Sequence, residues 1–483
     1  MAGQQVHDLH SFLHEMESKH PEALLKIDKP LSMEYDLTNL QVQLSKQNRY
    51  PVILAENAMR VDGTPSPFRV AANLTASRDL IAEALGIHPR RVAMEYAKRV
   101  SQRIDPVIIP APAAPVKQVV EEGSQVNVLK FPIPIHQYLD PGPYIAAGYV
   151  TTYDPDTGVD NSAIQRLWAK APNRMGYFPA PTSHAFANMM KWWQRGEDMP
   201  IAIWIGHHPS VLIGSMVRLG YPESHWGPAG GLLGSPVRLV PSHLFGEKLL
   251  VPADAEIVIE GVVPREVWEA EGPFGEFTGY AGAQRPSPVV EVRAVTYRHD
   301  AIYHDFACGY ADMLVLGNFP LEARLYDTVK RVIPELLNVH VPLSGKRHHA
   351  YLQVRKSRPG IGKDAIHAAV TADARVKHFF VVDEDVDIFD DKEVLWAVAT
   401  RSQWHRDVVI MEGVTVYPLD PSLSAPGNTG TKGGIDATMP PPLGPGLPSQ
   451  YAMTNRMPAA VRDRVTVEDY VSKEQLSGFP GSY

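Results

Sequence analysis

The chain has 483 residues, 44% hydrophobic and 21% charged, with a formal net charge of −8. That length exceeds one ordinary hydrophobic core and predicts several domains, while the acidic balance gives no electrostatic footing for nucleic acid or an anionic membrane surface. The single cysteine, Cys308, excludes an intrachain disulfide framework and a zinc ribbon and suits a reducing compartment.

Residues 1–19 mix charged and apolar side chains without the apolar core of a signal peptide, and no run approaches a membrane span. A cytoplasmic protein is expected. Leu9, Phe12, Leu13 and Met16 have helical spacing, and residues 35–46 read the same way. Residues 51–54 and 68–71 are short apolar strands. Ser77 caps a helix over 78–85 that Gly86 ends, and another helix follows over 91–101. Residues 1–115 therefore predict an α/β domain, closed by a connector that Pro106, Pro110, Pro112 and Pro115 keep extended. Residues 116–318 change texture to strands at 149–153, 163–170, 200–205, 237–240, 256–263 and 289–297, with one helix at 183–195, which predicts a barrel or sandwich. A long helix is expected over 319–337, with Pro320 in its first turn, linking to a second α/β unit over 339–440. The Pro/Gly-rich stretch 439–449 opens a tail, 441–483, suited to packing on the core or a partner subunit or to serving as a linker, with a short helix near 465–476.

The densest chemical signal is Glu271-Gly272-Pro273-Phe274-Gly275-Glu276-Phe277-Thr278-Gly279-Tyr280. Three glycines and a proline fix a turn around two carboxylates. Phe274 and Phe277 supply apolar cover that would raise a glutamate's pKa and leave a protonated acid near neutral pH. The plain alternative is a glycine-rich hairpin with solvated glutamates. Asn161, His184 and Glu223 offer a mixed amide, imidazole and carboxylate set of the kind that holds Mn²⁺ or Mg²⁺, although spacing alone does not select them. The glycine-rich run 427–434 carries Lys432, and flexible backbone with one cation suits a phosphate, without being a Walker A motif. The acidic run 383–387 lacks the closing glutamate of an EF-hand, and the pairs His207–His208 and His348–His349 point their side chains apart if extended. All three read as structural, and Cys308 as a buried, inert thiol.

Taken together, Asp160-Asn161 through Arg166, His184, the block 271–280 and Lys432-Gly433-Gly434-Ile435-Asp436-Ala437-Thr438 resemble the UbiD-type decarboxylases, which use prenylated FMN. The resemblance implies an N-terminal α/β domain, a central split β-barrel like that of flavin reductases, a linking helix and a C-terminal α/β dimerisation domain. It implies a cofactor site from Asn161, Ser162, Ala163, Ile164, Gln165, Arg166, Ser183, His184, Glu223 and Lys432. Asn161, His184 and Glu223 would hold the divalent metal, and a potassium ion would sit near Gly214, Ser215 and Met216. Arg166, Glu271 and Glu276 would form the catalytic network, with Glu276 as proton donor and the Arg166–Glu271 pair orienting the substrate carboxylate. The loop after Glu223 is slightly longer than the usual family version and carries His225. Phe178, Phe277, His304, Met313 and Leu316 could line a flat pocket for an aromatic or heteroaromatic acid, giving reversible, non-oxidative loss of CO₂. A flavin prenyltransferase would supply the cofactor, and a homodimer or larger homo-oligomer is expected. The alternatives are an FMN-dependent oxidoreductase and a non-catalytic subunit of a multi-subunit carboxylase.

Overall fold

The computed structural model describes residues 6–423, 427–439 and, in the tail, 455, 457, 461, 464–472 and 475. The stretch 439–449 falls almost wholly outside them, and near 465–476 the expected helix is a single turn, Val467–Asp469, capped by Thr466. Residues 1–438 form one unit and 439–483 another.

The first layer is a four-stranded sheet in the order Leu24–Ile27, Val52–Ala55, Arg69–Ala72 and Ile302–His304. Its helices include Leu9–Lys19, where Asp8 accepts from the Ser11 amide and Leu9, Phe12, Leu13 and Met16 turn inward as their spacing dictates. The fourth strand arrives from far along the chain, so the α/β layer is not confined to the expected 1–115.

Ten strands form the central sheet, every pairing antiparallel. Its path runs Asp160–Ile164, Tyr149–Tyr153, Met199–Ile205, Ile257–Val263, Arg285–Tyr297, Arg174–Tyr177, Leu167–Ala171, Tyr144–Ile145; Val119–Glu122 and Trp268–Glu271 join on Arg285–Tyr297. Asp160–Ile164, at one end of that path, and Leu167–Ala171, next to the other end, are consecutive pieces of one stretch. The strand expected over 163–170 is therefore broken at Gln165 and Arg166, where the chain passes from the first strand of the path to the next-to-last and the Gln165 amide donates to Gly148 O at 3.1 Å. That break sets Arg166 apart from both ladders.

Besides the single turn Trp404–Asp407, two helices escaped the sequence reading, Pro209–Gly214 and Trp226–Leu233. Their glycines argue against helix by propensity, yet the same glycines make room for close neighbours: a Cβ on Gly214 would lie 2.5 Å from Ala229 Cα of the second helix, and one on Gly230 2.4 Å from Ile104 O of the preceding connector. The long helix also differs from expectation. It spans Ala311–Lys330, so Pro320 lies inside it, and it begins after Gly309, whose φ of 84° ends the preceding segment. Burial of Leu314, Val315, Leu316 and Phe319 extends it backwards from the expected start.

A five-stranded sheet closes the unit in the order Leu336–His340, His349–Val354, His378–Asp383, Thr429–Asp436, Val408–Thr415. The glycine-rich run read as a phosphate loop is here an inner strand. Gly433 and Gly434 serve packing, since a Cβ on either would meet Val409 O at 2.3 Å or Phe379 O at 2.5 Å. Among the described residues no helix is long and apolar enough to cross a membrane.

Candidate active site

The block 271–280 folds as a tight hairpin. Glu271 ends the strand Trp268–Glu271, Phe274 and Gly275 pair with Gly282 and Ala281, and Gly279 at φ 86° turns the chain so that the Glu276 amide bonds Tyr280 O at 2.8 Å. The glutamates are not solvated. Glu271 is 1% exposed and Glu276 13%, and both meet the Arg166 guanidinium. Arg166 donates through Nε and Nη2 to the two Glu271 oxygens at 2.9 and 2.8 Å, and through Nη1 to Glu276 Oε1. The fork is bidentate toward one acid and single toward the other. The guanidinium carbon lies 4.5 Å from the Phe178 ring centroid and 5.0 Å from that of Phe274.

The electrostatics follow from this packing. Burial alone would lower the Arg166 pKa, but its bonds to the two carboxylates outweigh that, so the guanidinium stays charged. For Glu276 the balance goes the other way. Burial disfavours its charge, Arg166 opposes that only in part, and nearby Glu271 adds repulsion, so its pKa stands above the usual glutamate value.

Sequence reasoning missed Tyr144. Its hydroxyl donates to Glu271 Oε1 at 3.2 Å and accepts from the Gly272 amide at 3.1 Å. The register Trp168↔Tyr144 brings it there, a pairing with no local sequence signal. Tyr144→Phe would leave Glu271 short of a donor and the Gly272 amide without its acceptor. A loss of about 1–3 kcal/mol in unfolding free energy is expected, read by urea titration; an unchanged midpoint would dismiss the bond as a stabiliser.

The other expected residues divide. Asn161 is buried on Asp160–Ile164 and its side chain makes no hydrogen bond among the described residues; Gln165 is buried with Oε1 unpartnered. Ser162 is spent on the core, its Oγ taking the Trp204 indole N–H at 3.3 Å, while Ala163 and Ile164 carry no functional side-chain group. Ser183 caps the helix that His184 opens, accepting from the Phe186 amide at 3.2 Å. His184 is half-buried and its pKa is lowered by burial and then by Arg218, with Glu223 opposing. Glu223 itself turns to Arg103, which holds its carboxyl below the usual range, and it does not close on Asn161. His225 is committed to backbone, with Nδ1 facing the Ser162 amide and Nε2 3.0 Å from Val217 O. Ser215 caps the helix Pro209–Gly214 and donates to Val211 O at 3.1 Å, with Met216 next to it. Lys432 is buried with Nζ on Val370 O at 3.0 Å and Asp373 O at 2.7 Å, and burial lowers its pKa. Asp373 in turn draws Arg375, Arg218 and Arg324, so one acid serves several cations.

Phe178 and Phe277 flank the acid network, the first under Arg166 and the second beside Glu276. Met313 and Leu316 lie on the first turns of Ala311–Lys330. His304 sits apart, on the four-stranded sheet opposite Ala71, buried with neither ring nitrogen partnered among the described residues and its pKa lowered to about 3 by burial. The Cys308 thiol is buried and pushed up to about 12, which makes it inert. In the acidic run, Arg401 takes Asp383 and Asp385, and Arg90 takes Asp387.

Family models cover the chain in order: the 3-octaprenyl-4-hydroxybenzoate carboxy-lyase N-terminal domain matches residues 17–100, its Rift-related domain 108–311 and its C-terminal domain 314–437. The chain belongs to the UbiD family. Among curated UbiD relatives, an anhydromevalonate phosphate decarboxylase of Methanosarcina mazei is 31% identical over 86% of this chain and 92% of its own. A phenolic acid decarboxylase of a Streptomyces species is 30% identical over 77% and 80%. Among solved UbiD structures, HmfF from Pelotomaculum thermopropionicum in complex with FMN superposes with a TM-score of 0.87 at 35% identity, covering 96% of this chain and all of that one. Klebsiella pneumoniae 3,4-dihydroxybenzoic acid decarboxylase, AroY, gives 0.86 at 26% identity, covering 97% and 100%. The protein is a UbiD-type carboxy-lyase.

Proposed function

We propose that this UbiD protein catalyses the non-oxidative, reversible decarboxylation of an aromatic or heteroaromatic carboxylic acid with prenylated FMN as cofactor and a divalent metal, manganese or magnesium, beside it. The observation that carries this reading is the buried Arg166 held between Glu271 and Glu276, with burial raising the Glu276 pKa. HmfF is known in complex with FMN and, in an evolved dimeric form, with prFMN, which supports the flavin and a homodimer.

The residues present suit such a group. Asn161 has an unspent amide, Gln165 an unpartnered buried oxygen, and Lys432 a buried ammonium whose acceptors are neutral carbonyls. Asn161 and His184 would take the metal, Glu223 joining them on leaving Arg103, and Lys432 would face the phosphate; Ser215 and Met216 are the candidates for potassium. The cofactor supplies an electron sink for the carbanion left when CO₂ departs from an sp² carbon, which no side chain can delocalise. Arg166 orients the substrate carboxylate, Glu271 and Tyr144 hold Arg166 in register, and Glu276 delivers the proton to the carbon that lost CO₂. Phe178, Phe274 and Phe277 exclude water around these atoms.

The deciding experiment is mass spectrometry of the cofactor released from protein co-produced with a flavin prenyltransferase, with CO₂ release from a panel of aromatic acids. A flavin one prenyl unit heavier than FMN, with CO₂ evolved, is the expected result. Unmodified FMN with redox turnover would replace this reading with an oxidoreductase.

A pH profile follows from Glu276. An acid works in its protonated form, so kcat/KM should fall as pH rises through the Glu276 pKa, and that limb should lie above the ordinary glutamate value of 4.5 because burial raises it. A profile flat from pH 5 to 9 would remove Glu276 as the rate-governing acid.

A further inference from the structure

Beside Phe277 and Gly309 lie two cations, Arg347 and Lys346, that no carboxylate among the described residues pairs. Arg347 is 4% exposed and no carboxylate pairs with it among the described residues. Its Nε donates to Asn318 Oδ1 at 3.2 Å and its Nη2 to the helix carbonyls of Met313 and Leu314, while Nη1 has no acceptor among the described residues. Neutral donors would serve those carbonyls as well; they do not require a cation. Burial pushes the Arg347 pKa down to about 9, and Arg375 adds like-charge repulsion. Lys346 beside it is part-buried, donates to Gly309 O, and likewise has no carboxylate partner among the described residues; burial lowers its pKa. Both residues hold left-handed backbone, φ 47° and 66°, which non-glycine residues adopt only under constraint.

Their position is what gives the surplus meaning. The Arg347 guanidinium lies 5.6 Å from the Phe277 ring centroid, and Gly309, which Lys346 holds, packs on the Glu276 carbonyl so closely that a Cβ there would meet it at 2.8 Å. Cys308 and Tyr417 each feel the charges of both Glu276 and Arg347. By contrast, the two arginines in the cavity of about 400 Å³ between Ser77 and Phe389 are already matched, Arg78 with Glu322 and Arg90 with Asp387.

We infer that Arg347, supported by Lys346, binds a second anionic group on the substrate, so that the enzyme takes a carboxylic acid carrying a further carboxylate or phosphate. This rests on the decarboxylase reading above and narrows its substrate class. One carboxylate goes to Arg166 and is lost. The other stays on the product, neutralising a charge that the fold leaves unpaired.

The test titrates the cofactor-loaded enzyme with benzoate, terephthalate, isophthalate and the phosphate ester of para-hydroxybenzoate, following flavin absorbance for binding and CO₂ for turnover. At least one dianion is expected to bind about a hundredfold more tightly than benzoate, with the phosphate ester and the dicarboxylates telling the two anion types apart. Arg347→Gln should bring that ratio toward one, and Arg347→Lys should keep part of it. If Arg347→Gln does not fold, Lys346→Gln should still lower the ratio. Equal affinity for benzoate and every dianion, or a preference that survives Arg347→Gln, would overturn the inference. Decarboxylation of monoacids without a dianion preference would overturn it alone; absence of binding and of CO₂ from every acid would overturn it together with the decarboxylase reading.

Discussion

Glu276→Gln is expected to lower kcat by about 10²- to 10⁴-fold, the range a positioned general acid supplies, with cofactor content unchanged. Glutamine keeps an oxygen where Glu276 Oε1 accepts from Arg166, so the hairpin and the guanidinium stay in place. What it lacks is the proton. The substitution should also remove the pH limb, because the carboxyl whose raised pKa sets it is gone. Stability supplies an independent reading. The folded pKa of Glu276 lies above its ordinary 4.5, so the folded state holds that proton more tightly than the unfolded one. Its contribution is then largest below pH 4.5 and is lost as pH climbs through the raised folded value. The glutamine variant has no such loss, and its unfolding free energy relative to wild type should improve from acid toward neutral pH. Full turnover by Glu276→Gln would end the assignment.

Much of this site was legible in the sequence because turn chemistry is local. Three glycines and a proline between Glu271 and Tyr280 announce a tight hairpin, and flanking phenylalanines announce its burial. The helix that His184 opens, capped by Ser183, is local in the same sense, whereas the early start of the long helix at Ala311 was missed because burial, not a local signal, extends it back from Pro320. What was lost is what only pairing decides. Tyr144 meets Glu271 through a ladder with Leu167–Ala171, and Arg347 meets Phe277 across the junction of the long helix with the last sheet. Glycine-rich sequence misled twice. At 226–233 and 429–436 the glycines make room for a neighbouring backbone inside a regular element, whereas the same composition read alone predicts a loop. The metal set shows another limit. Residue types selected Asn161, His184 and Glu223, but the rotamer that commits Glu223 to Arg103 follows from a helix end 120 residues away in sequence.

Arg166→Met is expected to cost about 3–5 kcal/mol of stability and all measurable decarboxylation. The methionine fills much of the same volume, so the loss is electrostatic. Glu271, 1% exposed, would keep only the Tyr144 hydroxyl, and Glu276 would lose the cation that offsets its burial. Two like charges would then share a dry site, and the least costly response is protonation. The destabilisation should therefore be strong at pH 8 and relieved at pH 5, in urea titrations run at both. Arg166→Lys separates charge from geometry. A lysine restores a cation between the acids but cannot reproduce the Nε and Nη2 fork on Glu271 while reaching Glu276 as well. It should recover most of the stability and leave kcat at least about 10²-fold down, since misplacing an orienting group by an ångström costs that much. Wild-type stability of Arg166→Met at pH 8 would mean that the two glutamates do not depend on this guanidinium, and the network would have to be redrawn around Tyr144 and Arg285, whose guanidinium lies 4.8 Å over Phe178 and whose charge already reaches Glu276.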